Sequence, residues 1–311
     1  MTSLTVALVL ASALLHSIWN LWAKQIGPTH RSTTVMWALT VISAVLYAPA
    51  VWLIAARDGA RVEPSVIPWI LASGAIHVGY FILLLRGYAH ADLSVVYPVA
   101  RGVGPLLSAV GAVLLLHEPF GMALAIGGGL VALGIAILTL RPGLFVAASA
   151  AEPAVASTGA SGPPARAAFS RTAIGVGYGL ATGATIALYT LWDGASVQRL
   201  ALSPLLYYWG GEVVRVVLLT PFALRDRAGV ARLWREQRVR VVGIATLSPL
   251  AYILVLFAYR HGSISRIAPM REVSILFGAW LGALVLGERD RMRRVIAALA
   301  FATGVVLLAR G

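Results

Sequence analysis

Apolar residues in this chain come in long unbroken stretches of about twenty, separated by short polar breaks. A stretch of that length carries a helix across the hydrocarbon core of a bilayer. Lipid offers the backbone no hydrogen-bond partners, so each stretch is expected to be helical. Ten stretches qualify: 4–23, 33–56, 66–85, 93–116, 120–140, 172–192, 203–224, 239–259, 265–287 and 293–309. A β-barrel would instead show short alternating segments. The first stretch contains Ala11-Ser12-Ala13, as a cleavable leader does, but no basic residue precedes it and its apolar character continues to Ala23. It therefore reads as a span. The expected fold class is an all-α integral membrane protein with ten transmembrane helices.

One segment breaks the pattern. Residues 142–170 are mostly Ala, Pro, Ser and Gly, with few large apolar groups. Such a composition buries too little to offset the entropy of ordering, and predicts a flexible linker. Its place near mid-chain prompts a search for a repeat. His16 to Trp22 aligns with Ile186 to Trp192, Trp37 and Pro49 with Trp209 and Pro221, and Tyr88, His90, Ser94 and Pro98 with Tyr259, His261, Ser265 and Pro269. Leu116-His117-Glu118 aligns with Leu286-Gly287-Glu288. The order is kept and the offset is nearly constant. Two five-helix repeats follow, 1–141 and 171–311, joined by the linker at 142–170. An odd number of spans per repeat makes the second copy enter the membrane from the opposite side. Inverted repeats suit alternating access, because exchanging the conformations of the halves reverses which side is open.

Composition agrees with lipid as the solvent. Of 311 residues, 59% are hydrophobic and only 12% charged, against about 25% charged in soluble domains. The net charge of +13 does not read as nucleic-acid binding: the basic residues sit in connections and at span ends, with no basic stretch interleaved with stacking aromatics. They are unequally shared, sixteen Lys and Arg on one side of the membrane and six on the other. Arg225, Arg227, Arg232, Arg235, Arg238 and Arg240 cluster in one connection, and Arg289, Arg291, Arg293 and Arg294 in another. The positive-inside rule puts these connections in the cytoplasm and both termini outside. The absence of cysteine excludes disulfides and thiolate chemistry.

The first span (ALLHSIWNLWAK), the proline of the fourth, the ends of the hairpins (LLLHEP and LVLGERD) and the glycine-rich fifth and tenth spans (GGGLVALGIAIL and ALAFATGVVLLA) resemble the EamA-type transporters of the drug/metabolite transporter superfamily. The resemblance covers nearly the whole chain apart from the linker. It implies ten helices, a central cavity between two repeats, and movement of metabolites such as amino acids, often outward, across a bacterial cytoplasmic membrane. The family usually has both termini in the cytoplasm, against the charge bias. His117 departs from the pattern, standing where glycine is usual.

Ionisable groups inside spans cost about 2.5–3.5 kcal/mol each on insertion scales, so they face a cavity or a partner. Glu212, with Arg215 one turn on along the same face, is a candidate to bind a substrate amine or carry a proton; an internal salt bridge is the plainer alternative. Arg101, and Arg271 with Glu272, follow Pro98 and Pro269 at matching repeat positions. Arginine offers a planar fork to an anion, and the prolines are candidate hinges. The competing reading pairs Arg101 or Arg271 with Glu212 or Glu272 across the pseudo-axis. His16, followed on its face by Trp19 and Asn20, is a candidate ligand and, with Glu212 and Glu272, a candidate proton carrier, since imidazole titrates near neutrality. His77 is a weaker candidate. Tyr80, Tyr97 and Tyr189 are aromatic candidates for the pocket, while Trp22 and Trp192 read as interfacial anchors. Glu118 and Glu288 read as caps or bridges at helix ends. Gly175, Gly179 and Gly183 follow a small-xxx-small spacing for close helix packing; the GxGxG they overlap lacks the preceding strand of a phosphate loop.

The reading is a secondary transporter of a small polar or zwitterionic metabolite such as an amino acid. Its expected partners are that substrate, the bilayer and, as candidates, protons, in a monomer or homodimer; no metal or cofactor is expected. No ATP-site motif occurs, so the energy must come from a gradient or exchange. A membrane-embedded enzyme and a non-transporting receptor are the alternatives: turnover without net transport would mark the first, tight binding without flux the second.

Overall fold

The computed structural model describes residues 1–26, 30–58, 63–91, 93–139, 165–200, 202–286 and 291–310. Among these residues the regular structure is entirely helical. The first half holds α1 (Ser3–Ile26), α2 (Ser32–Asp58), α3 (Ile67–His90), α4 (Leu93–Leu115) and α5 (Met122–Thr139), with a single 3-10 turn, Pro64–Val66, before α3. The second holds α6 (Ala165–Arg199), α7 (Pro204–Leu224), α8 (Arg227–His261), α9 (Ile264–Met270), α10 (Val273–Leu286) and α11 (Arg291–Arg310). Prolines open α3 and α7 in the first turn, where the missing N–H costs nothing.

Six helices are long and apolar enough to cross a membrane, namely α1 to α4, α6 and α8, with α3 counted together with the turn before it; Met122–Leu138 and Val295–Arg310 are shorter apolar helices. Every expected span thus falls on a helix, with three differences. The ninth is two helices, interrupted at Arg271 and Glu272. Pro269 has no N–H to give the carbonyl of Ser265. The chain tightens just after it: Glu272 N–H reaches Pro269 O at 3.1 Å and Ser274 N–H reaches Arg271 O at 3.1 Å. Second, Arg227, Arg232, Arg235, Arg238 and Arg240 do not form a loop. They occupy the first turns of the 35-residue α8, an extension of the span read at 239–259. Third, α6 starts at Ala165; residues 142–164 of the expected linker, and Glu288, lie outside the described residues.

Most of the tight packing runs between the halves, and in reciprocal pairs. α1 lies on α8 and α6 on α3; α2 meets α8 and α3 meets α7; α2 faces α7, and α5 faces α11. Tryptophans matched by the repeat make matched bonds. Trp37 Nε1 on α2 donates to Thr220 Oγ1 on α7 at 3.0 Å, and Trp209 Nε1 on α7 donates to Ala44 O on α2 at 2.8 Å. Small residues permit the closest approaches. A Cβ on Gly179 would stand 2.7 Å from Val99 Cβ, and one on Gly304 would stand 2.8 Å from Gly127 O. The Gly175, Gly179 and Gly183 row is thus the seat of α4 on α6, as its spacing implies.

Glu118, just beyond α4, closes the other end of the second half. Its two carboxylate oxygens accept the backbone N–H groups of Ile264 and Ser265 at 2.7 and 2.8 Å. They satisfy donors that open α9 and have no partner within the helix. His117, beside it, has φ 57°, in the left-handed region that glycine enters freely and other residues do not. That is the backbone reason for glycine at this place in the family pattern.

Candidate substrate cavity

Between the halves lies a cavity of about 390 Å³ lined from both. α1 supplies His16, Trp19 and Asn20, and the first half adds Tyr80, Tyr97 and Arg101. From the second half come Glu212, Arg215 and Arg271. With His77 and Tyr189, eleven of the sequence-derived candidates thus share one wall-to-wall space. Glu272 is not part of the lining; it is 3% exposed, behind Arg101. Pro98 lies within the uninterrupted α4, while Pro269 directly precedes the break between α9 and α10.

The two matched arginines have different partners. Arg101 Nη1 donates to Glu272 Oε1 at 3.4 Å, and its Nη2 lies 2.6 Å from His16 Nε2. Guanidinium can only donate, so His16 Nε2 is the acceptor in that bond. The guanidinium also sits 5.7 Å over the Tyr97 ring. Arg271 has no carboxylate within ion-pair distance among the described residues; its guanidinium lies over the Tyr252 ring at 5.2 Å. Of the pairings that the competing reading offered, Arg101 with Glu272 forms, and Arg271 makes none with Glu212 or Glu272.

Glu212 and Arg215 form the pair anticipated from their spacing, with Arg215 Nη2 3.0 Å from Glu212 Oε1. Tyr208 donates its hydroxyl to the same oxygen. Glu212 Oε2 is buried with no partner. The cavity therefore presents a guanidinium without a carboxylate and a carboxylate oxygen without a donor. Tyr252 and Tyr208, 5.8 Å apart between ring centroids, stand between them. His16 and Trp19 meet edge to face at 4.8 Å, and Asn20 Nδ2 donates to His16 O at 2.6 Å.

Three features of the site were not singled out from sequence. Tyr208 and Tyr252 sit on α7 and α8 beside hydrophobic neighbours that look no different in one dimension. Asp193 is the larger omission. The sixth span was ended at Trp192, which left Asp193 as a loop residue, whereas α6 continues to Arg199 and buries it at 1% exposure. Tyr207 donates to Asp193 Oδ1 at 2.9 Å and Tyr252 to Oδ2 at 2.7 Å. Trp192, read as an interfacial anchor, packs on Trp69 at 4.6 Å and donates to Trp69 O at 3.0 Å. His77 and Tyr189 line the cavity, stacked at 4.5 Å. No group of three or more metal-ligating side chains occurs among the described residues.

This arrangement can now be set beside known proteins. Residues 3–140 match the EamA-like transporter family. The likeness of these residues, fewer than half of the chain, is to a family of transporters. The EamA-like match covers the first half. Across both halves, a solved structure described only as "Crystal structure of protein" is similar, with a TM-score of 0.73 at 14% identity, covering 99% of this chain and 96% of its own. At that identity the likeness is one of fold. No curated protein matches the chain.

Proposed function

We propose that the protein is a secondary transporter whose cavity takes a small zwitterion of the amino-acid class. Arg271 binds the carboxylate and Glu212 Oε2 takes the ammonium, with Trp19, Tyr80, Tyr97 and Tyr252 as the apolar and aromatic walls. The observation that carries this reading is a guanidinium with no carboxylate beside it, Arg271, and a carboxylate oxygen with no donor, Glu212 Oε2, in one cavity between the halves. Buried charge without a partner is costly, and a ligand bringing both complementary charges removes that cost. A cavity of about 390 Å³ falls in the usual range of small-molecule sites.

The two halves act as inverted five-helix repeats, 1–141 and 171–311, in a bacterial cytoplasmic membrane. Reciprocal contacts such as Trp37 to α7 and Trp209 to α2 support a two-fold relation. Alternating access then exchanges the conformations of the halves around a fixed site. The break after Pro269 gives the Arg271 segment a place to hinge.

The test is counterflow in proteoliposomes with a panel of radiolabelled amino acids. Saturable exchange of at least one of them, reduced at least tenfold by Arg271→Ala and by Glu212→Gln, is expected. Turnover of a panel member without exchange would replace transport by an enzyme.

A further inference from the structure

Six ionisable residues of opposite charge sit at the heart of the molecule: Arg101, Arg215 and Arg271 against Asp193, Glu212 and Glu272. Two direct pairs form, Arg101 with Glu272 at 3.4 Å and Arg215 with Glu212 at 3.0 Å. Arg271 and Asp193 remain. Tyr252 stands between them: its hydroxyl donates to Asp193 Oδ2 and its ring lies under the Arg271 guanidinium. The set is neutral as it stands. A substrate carboxylate takes up the Arg271 guanidinium while its ammonium goes to the separate Glu212 carboxylate, which leaves Asp193 as locally uncompensated negative charge in a low-dielectric interior.

His77 supplies a place to correct it. Its Nδ1 lies 2.9 Å from Ser73 O. A carbonyl only accepts, so Nδ1 carries the hydrogen and neutral His77 presents a bare Nε2. That nitrogen faces Asp193 Oδ2 at 3.8 Å. Two acceptors confront each other with no proton between them. His77 lines the cavity, so a proton can arrive from cavity water. The acids and bases weighed from sequence are less suited: Glu212 and Glu272 each have an arginine, and His16 Nε2 accepts from Arg101.

We propose that His77 and Asp193 form the proton-binding station of the cavity, taking up one proton when a carboxylate binds Arg271. Resting on the assignment of the cavity as the substrate site, this names its coupling group. The proton leaves a hydronium in the cavity, which becomes water, and comes to lie between His77 Nε2 and Asp193 Oδ2. The groups that face Asp193 are His77 from α3, Tyr207 and Arg215 from α7, Tyr252 from α8 and Tyr189 from its own helix, while Arg215 and, from the turn after α9, Arg271 face His77. From α4, Arg101 is occupied by Glu272. Of these, only His77 and Asp193 meet as an acceptor pair.

The experiment uses the full chain in phosphatidylethanolamine–phosphatidylglycerol vesicles, weakly buffered, with acetate as the carboxylate probe and chloride as control. Acetate binding is read by quenching of tryptophan fluorescence, and proton uptake by a pH-indicator dye. Linkage predicts uptake of about one proton per bound acetate. Asp193→Asn is expected to bind acetate with uptake reduced at least tenfold, and Arg271→Gln to lose binding and uptake together. Tyr252→Phe, which keeps the ring and removes one donor to Asp193, is expected to shift the pH of half-maximal uptake upward. Acetate binding without proton uptake in the unaltered chain, or uptake that survives Asp193→Asn, overturns the station while leaving the cavity assignment intact. Absence of acetate binding in the unaltered chain also overturns the station, whereas the cavity assignment falls only if the counterflow of amino acids fails.

Discussion

At the scale of single residues, the site is set by which buried charges find partners. Arg215 neutralises Glu212 at 3.0 Å, with both side chains buried. Arg215→Met strands the carboxylate, which in a buried setting costs about 3–5 kcal/mol. Adding Glu212→Gln should restore most of that loss, measured as thermal unfolding in detergent; no recovery in the double variant would mean the pair is not what holds α7. His117 offers the opposite case. With φ 57°, it carries strain of about 1–2 kcal/mol that glycine does not. His117→Gly is expected to stabilise the protein by up to that amount. Outside the spans, the Thr34 hydroxyl, donating at 2.6 Å, holds the Asp226 carboxyl below its usual range, helped by Arg31. A carboxyl lowered in the folded state contributes stability above its unfolded value, and that contribution is lost as pH falls through the folded one. Thr34→Ala should therefore weaken the protein at neutral pH and leave it unchanged in acid, seen as a flatter acid limb of melting temperature against pH.

At the scale of elements, small residues and one carboxylate decide how helices meet. Gly304 and Gly127 bring α11 and α5 together through backbone as well as side chains. Gly304→Ala is expected to cost about 1–3 kcal/mol through overpacking, more than the same change at Gly128 or Gly129, where an added Cβ meets nothing within 4 Å. Glu118 joins the halves by capping α9 from outside it. Replacing it with alanine should cost about 0.5–2 kcal/mol, and should speed hydrogen exchange at the Ile264 and Ser265 amides first. Uniform acceleration along the chain would deny Glu118 this local role. The interruption after Pro269 places Arg271 and Glu272 at a turn instead of on a helix face, which is why one reaches the cavity and the other lies behind Arg101.

At the scale of the whole molecule, the proposed inversion of the halves makes a topological demand. The connections after α1 and after α6 occupy equivalent places in the two repeats, so they must open to opposite sides. The chain contains no cysteine, and single thiols introduced at exposed Arg31 and exposed Arg199 report separately. Impermeant maleimide added to intact cells should label one of them and spare the other. Labelling of both from the same side would remove the inversion, and with it the alternating-access account.

The order of the helices was legible because the cost of placing apolar or polar groups in lipid is local: it is written into each window of about twenty residues. Gly175, Gly179 and Gly183 announced close packing by spacing alone, and the rarity of charge inside spans marked Glu212, Arg101 and Arg271 as worth attention. Other features depend on groups distant in sequence. Arg101 and Arg271 match in the repeat, yet only the folded chain shows that Glu272 lies by the first and Tyr252 by the second. Asp193 looked like a loop residue until α6 was seen to run past it and α7 and α8 to bring two tyrosine hydroxyls to its oxygens. Solvation by lipid acts residue by residue and can be read along a line. Charge compensation acts between neighbours in space, and only the tertiary structure decides who those neighbours are.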